Sequence, residues 1–203
     1  AASAAIQPGV NELDVLAAGQ RGAMHEANEV VWHGGDYQSG QGGGWARDRQ
    51  IEAGELYIID AQTCYRGYWS DLSRTYIVGD TVTDLQQSVF DHLKGIHDRV
   101  PELLKPGMDG TVVWQFVDAM IREHPALADT GLTHHAGHNI GLRAHEMPDL
   151  NPERGGMFEV GNVVTVEPGA YVDGLRGGIR LENMYLITEN GAENLSVYPM
   201  SLR

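Results

Sequence analysis

The sequence predicts an α+β domain. Two stretches, 84–100 and 111–124, repeat apolar residues at helical spacing. Two others read as β-hairpins, one turning around Cys64–Gly67 and one around Asp173–Gly178. Helices and hairpins follow one another without the strict strand–helix–strand alternation of a doubly wound parallel sheet. The 203 residues allow a core that needs no disulfide or metal to hold it.

Taken in order, a first helix is expected to start near Pro8-Gly9 and to run through Leu13, Leu16, Ala17 and Met24. Val30-Val31-Trp32 reads as a short strand leading to His33. Positions 34–44 hold six glycines in eleven residues, and backbone entropy predicts a mobile loop there. Residues 55–62 and 67–78 form the first hairpin. The helix of 84–100 carries Leu85, Val89, Leu93, Ile96 and Val100, with a boundary at Pro101. The helix of 111–124 carries Val113, Phe116, Val117, Met120 and Ile121. Strands are expected over 133–142, 162–172 and 178–188, the last two joined as a hairpin.

Composition narrows the function. Fourteen Lys and Arg against 28 Asp and Glu give a formal charge of −14. That balance argues against nucleic acid and against anionic membrane surfaces. No apolar run approaches the ~18–20 residues of a membrane span. One cysteine, Cys64, excludes an internal disulfide and a cysteine-rich zinc site. The opening residues lack the basic-then-apolar pattern of a secretory leader, and a cytoplasmic location is expected. The chain opens with Ala1 and not Met, so the numbering is expected to begin within a longer protein.

Five residues stand out chemically. Asp60 ends the apolar run Leu56–Ile59, and Asp71 lies eleven residues on, in the returning strand. Cross-strand partners project to one face with Cβ atoms roughly 4.5–5.5 Å apart. Two carboxylates that close repel unless a proton or cation lies between them. The second hairpin repeats the pattern with Glu167, after Val163–Val166, and Glu182. His138 lies between the hairpins. Four carboxylates and one imidazole suit two hard or borderline divalent cations, whose charge would balance theirs.

These motifs carry a resemblance. Ile59-Asp60 with Gly67–Thr75, His134–Leu142 with His145-Glu146 and Pro148, Thr165–Gly169, and Gly178–Asn183 resemble, in order, the four signatures of the pita-bread metallopeptidases. That family includes methionine aminopeptidase, aminopeptidase P and prolidase. Arg180, two residues before the last Glu, places the resemblance on the Xaa-Pro branch.

The resemblance implies a pita-bread fold of two pseudo-symmetric halves, each a hairpin plus helix, with residues 1–203 as the catalytic domain. The usual N-terminal domain is expected to lie outside this chain, and the catalytic domain to be N-terminally incomplete. It implies two divalent ions, manganese first, with cobalt, iron or zinc also accepted. Asp60, Asp71, His138, Glu167 and Glu182 match the ligands, with Asp71 and Glu182 bridging. Glu167 also matches the proton shuttle for a metal-bridging hydroxide. His145 matches the donor to the substrate carbonyl and the tetrahedral intermediate. His33, preceded by Asn28, and His134 and Arg180 match substrate-side positions, His134 near the proline end. The implied partner is a small peptide containing proline, and a homodimer is expected. A non-peptide small-molecule hydrolase or lyase and a non-catalytic binding module share the fold and are the alternatives.

Three features depart from the family pattern: the long interval from His33 to Asp60, Gly34 where Tyr is common, and Gln62 where Gly is common. Among the rest, His135 is expected to be structural. His25, His92, His97 and His124 are expected on solvated helix faces. Cys64, Tyr65, Tyr68, Trp69 and Tyr76 are expected to serve packing.

Overall fold

The computed structural model describes residues 1–203. A four-residue helix, α1 (Ala2–Ala5), precedes α2 (Glu12–Ala27). Helix α2 starts later than Pro8-Gly9 because the Asn11 side chain accepts a hydrogen bond from Leu13 N–H and caps it. It ends at Asn28, whose left-handed backbone (φ 52°) closes the last turn. The first sheet contains β1 (Trp32–Ser39), β2 (Leu56–Tyr65), β3 (Tyr68–Ser70) and β4 (Ser73–Ile77). Strand β2 is central, pairing antiparallel with β1 on one side and with β3 and β4 on the other.

Half of the segment expected to be a mobile loop is β1. All eight of its residues pair with β2. The ladder offsets the entropy lost by Gly34 and Gly35. Gly35 is required there: it sits at φ +113°, and a Cβ would overlap the Asp60 carbonyl. Beyond Ser39, the buried carboxylate of Glu12 accepts from Ser39 N–H and Oγ–H and from Arg47, fixing the path of the glycine-rich turn.

Helix α3 (Asp84–Arg99) opens with a reciprocal capping box between Thr83 and Gln86 and runs into a short 3₁₀ turn containing Pro101. Helix α4 (Gly110–Arg122) is capped by Asp109. The second sheet follows, with β5 (Gly137–Asn139), β6 (Glu146–Leu150), β7 (Val163–Val166), β10 (Asn183–Thr188) and β11 (Gly191–Asn194), in the order β11-β10-β7-β5-β6. A separate ribbon pairs β8 (Gly169–Ala170) with β9 (Ile179–Arg180).

The long strands expected over 133–142, 162–172 and 178–188 are thus short pieces. The breaks in the last two fall at Glu167-Pro168 and Leu181-Glu182. Pro168 has no N–H to give the ladder, which interrupts it beside Glu167. Neither β6 nor β11 has a clean apolar alternation in the sequence.

Each half places a helix (α2, α4) before an antiparallel sheet. The main core lies among α3, α4 and the second sheet, with Leu93, Ile96, Val113, Ile121, Val164 and Ile187 inaccessible. A smaller core of Val15, Tyr37, Tyr57 and Ile59 joins α2 to the first sheet. The halves are stitched at the site, where Glu182 N–H donates to Ser73 O at 3.0 Å. No helix is long and apolar enough to cross a membrane.

Candidate metal centre

The buried run Leu56–Ile59 carries β2 out of the core, and Asp60 is its first partly exposed residue. The expected direct pairing of Asp60 with Asp71 is not what the register gives. Asp60 faces Ser73 on β4 and Asp36 on β1. Continuing the same register puts Asp71, in the gap between β3 and β4, opposite Gln62. Asp60 and Asp71 are therefore diagonal neighbours on one face. In the second hairpin, the register of Val166 with Asn183 and Gly169 with Arg180 places Glu167 directly opposite Glu182. His138 sits in the middle of β5, its N–H bonded to Thr165 Oγ1.

These elements bring the five residues together. Donor atoms of Asp60, Asp71 and Glu182 lie within 4.8 Å of one another, as do those of His138, Glu167 and Glu182. Glu182 belongs to both groups, and Asp71 also lies this close to His138 and His145. The residues present fit divalent cations. Oδ1 of Asp60, Oδ1 of Asp71 and Oε2 of Glu182 are buried without a hydrogen-bond partner, a cost of several kcal/mol in sum unless a cation or proton answers them. Nδ1 of His138 lies 3.1 Å from the Asn139 carbonyl, which fixes Nδ1 as the protonated nitrogen. Nε2 is then a free lone pair, 3.7 Å from Glu167 and 3.9 Å from Asp71. That arrangement is usual for a ligating imidazole.

The electrostatics agree. Burial, reinforced by Asp60, pushes the Asp71 carboxyl well above the usual range. Burial pushes Glu167 and Glu182 up as well, with Asp60 adding to the first and Asp71 to the second. Burial, with His145 beside it, pushes His138 down to about 3. The set favours anions only when positive charge is added.

The centre lines one wall of a cavity of about 750 Å³. His145 is on the same cavity, its ring stacked on His138 at 3.7 Å between centroids. Arg180 donates to Asp36, forms an ion pair with Asp60 at 2.7 Å, and is the one Lys or Arg lining the cavity. His33 also lines it, with Nδ1 2.8 Å from Thr63 Oγ1 and Nε2 2.6 Å from the Tyr37 hydroxyl. His134 lies behind the wall, with Nδ1 on the His135 carbonyl and Nε2 on the Tyr171 hydroxyl at 3.0 Å. The neighbour expected to be structural, His135, is the one that lines the cavity, 3.5 Å from Glu167. Asn28 caps α2 and is not among the lining residues.

Two further expectations change. His97 is not on a solvated face: it is buried, and its ring contacts the Tyr185 hydroxyl and the Leu181 carbonyl, beside Glu182. Trp69 does not serve packing alone, since it lines the cavity. Asp36, Gln62, Tyr171 and Trp32 also contribute to the site or its frame. The signal for Asp36 and Trp32 was a period of two through Trp32-Gly34-Asp36, obscured by the glycines.

The family model for metallopeptidase family M24 matches residues 1–189. The chain is 38% identical over 165 residues to an uncharacterized peptidase, YqhT, of Bacillus subtilis, covering 78% of this chain and 44% of that one. It is 36% identical over 153 residues to the Xaa-Pro dipeptidase of Pyrococcus furiosus, covering 75% and 43%. The solved prolidase from Pyrococcus furiosus superposes with a TM-score of 0.85 at 31% identity, over 98% of this chain and 59% of that one. An X-Pro aminopeptidase from Thermotoga maritima gives 0.86 at 28%, over 97% and 55%. The chain therefore spans about half the length of the relatives it matches. The architecture is the pita-bread fold, and the chain belongs to metallopeptidase family M24.

Proposed function

We propose that this chain carries the catalytic centre of an Xaa-Pro peptidase that hydrolyses the bond before proline with two divalent ions, manganese first, with cobalt, iron or zinc accepted. The observation that carries the reading is the convergence of Asp60, Asp71, His138, Glu167 and Glu182 with three of their buried oxygens unanswered. Asp60, Asp71 and Glu182 would hold one ion, and His138, Glu167 and Glu182 the other, with Asp71 as the second bridge. Bound divalent ions lower the pKa of water and polarise a carbonyl.

The protein's own groups do the rest. Glu167, on the cavity wall beside His138, accepts the proton of the attacking water and passes it to the departing nitrogen. His145, stacked on His138 and open to the cavity, donates to the substrate carbonyl oxygen as charge builds there. Arg180 holds Asp60 and, with His134 and Tyr171, frames the proline end. His33 lines the same cavity. A cytoplasmic location and a homodimer belong to the same proposal. They rest on the single cysteine and on the family resemblance.

The test is to strip the protein, reload it with each of the four metals, and supply Xaa-Pro dipeptides and Xaa-Pro-Yaa peptides. About two ions per chain and metal-dependent release of the Xaa residue are expected. Two ions with no cleavage would defeat the peptidase reading and leave the metal centre; no bound metal would defeat both.

A further inference from the structure

One face of the first sheet changes character along its length. Asp36 pairs with Asp60, Gly34 with Gln62, and Trp32 with Cys64, which faces Trp69 on its other side. Alternate residues share a face, so this row starts at the carboxylates and ends at two indoles, about 13 Å along the strand. The Trp32 and Trp69 rings lie 4.9 Å apart, tilted by 56°. Trp32 also folds back over Gly34, where a Cβ would meet its Cζ2 and Cη2 at 3.1 Å. Both indoles line the metal cavity, as do Trp45 and Leu16. Trp32 is 51% exposed and Trp45 85% exposed. The carboxylate end has its use in the proposed reaction. The aromatic end, continuous with it, presents an apolar wall to the cavity.

We propose that Trp32 and Trp69, laid over the bare backbone of Gly34, form a subsite for an aromatic side chain on the residue preceding the scissile bond. The chain then selects peptides with Phe, Tyr or Trp at that position. This rests on the peptidase reading, in which the proline end points toward Arg180 and His134, at the carboxylate end of the row. The preceding residue extends the other way, toward the indoles. An aliphatic side chain would gain buried area there. An aromatic one gains area and the offset or edge-on ring geometry that tilted indoles offer. A charged side chain would lose hydration against them.

Steady-state kinetics on the manganese-loaded protein would compare Phe-Pro, Leu-Pro and Gly-Pro, and the same peptides extended by Ala. The kcat/KM for the Phe peptides should exceed that for Gly roughly tenfold or more, mainly through KM. It should also exceed that for Leu severalfold. The Phe-to-Gly ratio should collapse in Trp32→Ala and in Gly34→Val, which displaces the Trp32 ring, and return in Trp32→Phe. Equal kcat/KM for Phe and Gly peptides, or a preference untouched by Trp32→Ala, would overturn the subsite. If no peptide is cleaved, the peptidase reading falls and calorimetry decides the subsite separately. Tighter binding of Phe-Pro than Gly-Pro, lost in Trp32→Ala, would sustain it, and equal binding would overturn it.

Discussion

Gln62 donates through Nε2 to Oδ2 of Asp71 at 2.9 Å, from the cross-strand position opposite it. Asp71 Oδ1 has no partner, so one oxygen is oriented by the protein and the other is the one the proposed metal centre would engage. Partners of this kind typically contribute 10–100-fold to metal affinity or activity. Gln62→Ala should therefore weaken metal binding by roughly that factor. Calorimetric titration of the stripped protein checks it, and unchanged affinity would mean that Gln62 orients nothing.

Asp71→Asn keeps the shape and the Gln62 contact but replaces a carboxyl whose ionised form burial and Asp60 disfavour, and which must take up a proton to fold at pH 8. The metal-free variant should melt higher than the parent at pH 8, while retaining far less metal. About 2–4 °C is gained per kcal/mol in a chain of this size. A lower melting temperature together with full metal retention would contradict the charge repulsion assigned to the site.

The pH dependence follows from the same carboxyls. A carboxyl raised on folding binds more protons folded than unfolded. Its stabilisation is present at low pH and lost as pH rises through the folded value. Asp71 stands at about 9 and Glu167 at about 8. His138, His134 and His97 are depressed and act in the opposite sense, but only below the ordinary histidine value of 6.5. Between pH 7 and 9 the raised carboxyls are not opposed by these histidines. The metal-free protein should lose stability across that window, and the loaded protein should not. Metal affinity should rise over the same range as protons are displaced. Thermal melts with chelator and with metal at pH 7 and 9 measure both.

His97 joins helix α3 to the strand break that carries Glu182, through Leu181 O at 3.1 Å and the Tyr185 hydroxyl at 2.9 Å. His97→Leu leaves both groups buried without that partner and should cost about 2–4 kcal/mol. Burial pushes His97 down to about 4, so its stabilisation is present at neutral pH and lost as pH falls from 6.5 toward that value. Urea denaturation at pH 7 and 5 should show a smaller acid loss in the variant than in the parent.

Glu12 is inaccessible and accepts from Ser39 and Arg47, with Arg49 3.8 Å away. Glu12→Ala leaves these donors without their acceptor and should destabilise by about 2–4 kcal/mol. Amide exchange should speed up in residues 39–49, while β2 stays protected. Slow exchange in that turn would show that its glycines are held by other contacts.

Much of this was legible in the sequence. The helical periods of 84–100 and 111–124 gave α3 and α4 within two residues, because both bury one apolar face. The carboxylates at the ends of apolar runs marked the centre, because a charge at such a place needs a reason. Other features were not legible. His97 looked like a surface residue on a polar turn of α3, and only the packing of Tyr185 against that turn buries it. The strand β1 was hidden by Gly34 and Gly35, whose intrinsic preference opposes a strand until β2 supplies its ladder.

Composition, apolar spacing and motif order determined the α+β class, the family resemblance and the five candidate ligands. These depend on residue type and local period, which the chain carries in one dimension. Register and long-range approach were decided only in three dimensions. They set Asp71 opposite Gln62 and Glu167 opposite Glu182. They turned His135 toward the cavity and His134 behind it, and laid Trp32 across Gly34. Each of these depends on which strand lies beside which, and a shift of one residue would reverse the faces.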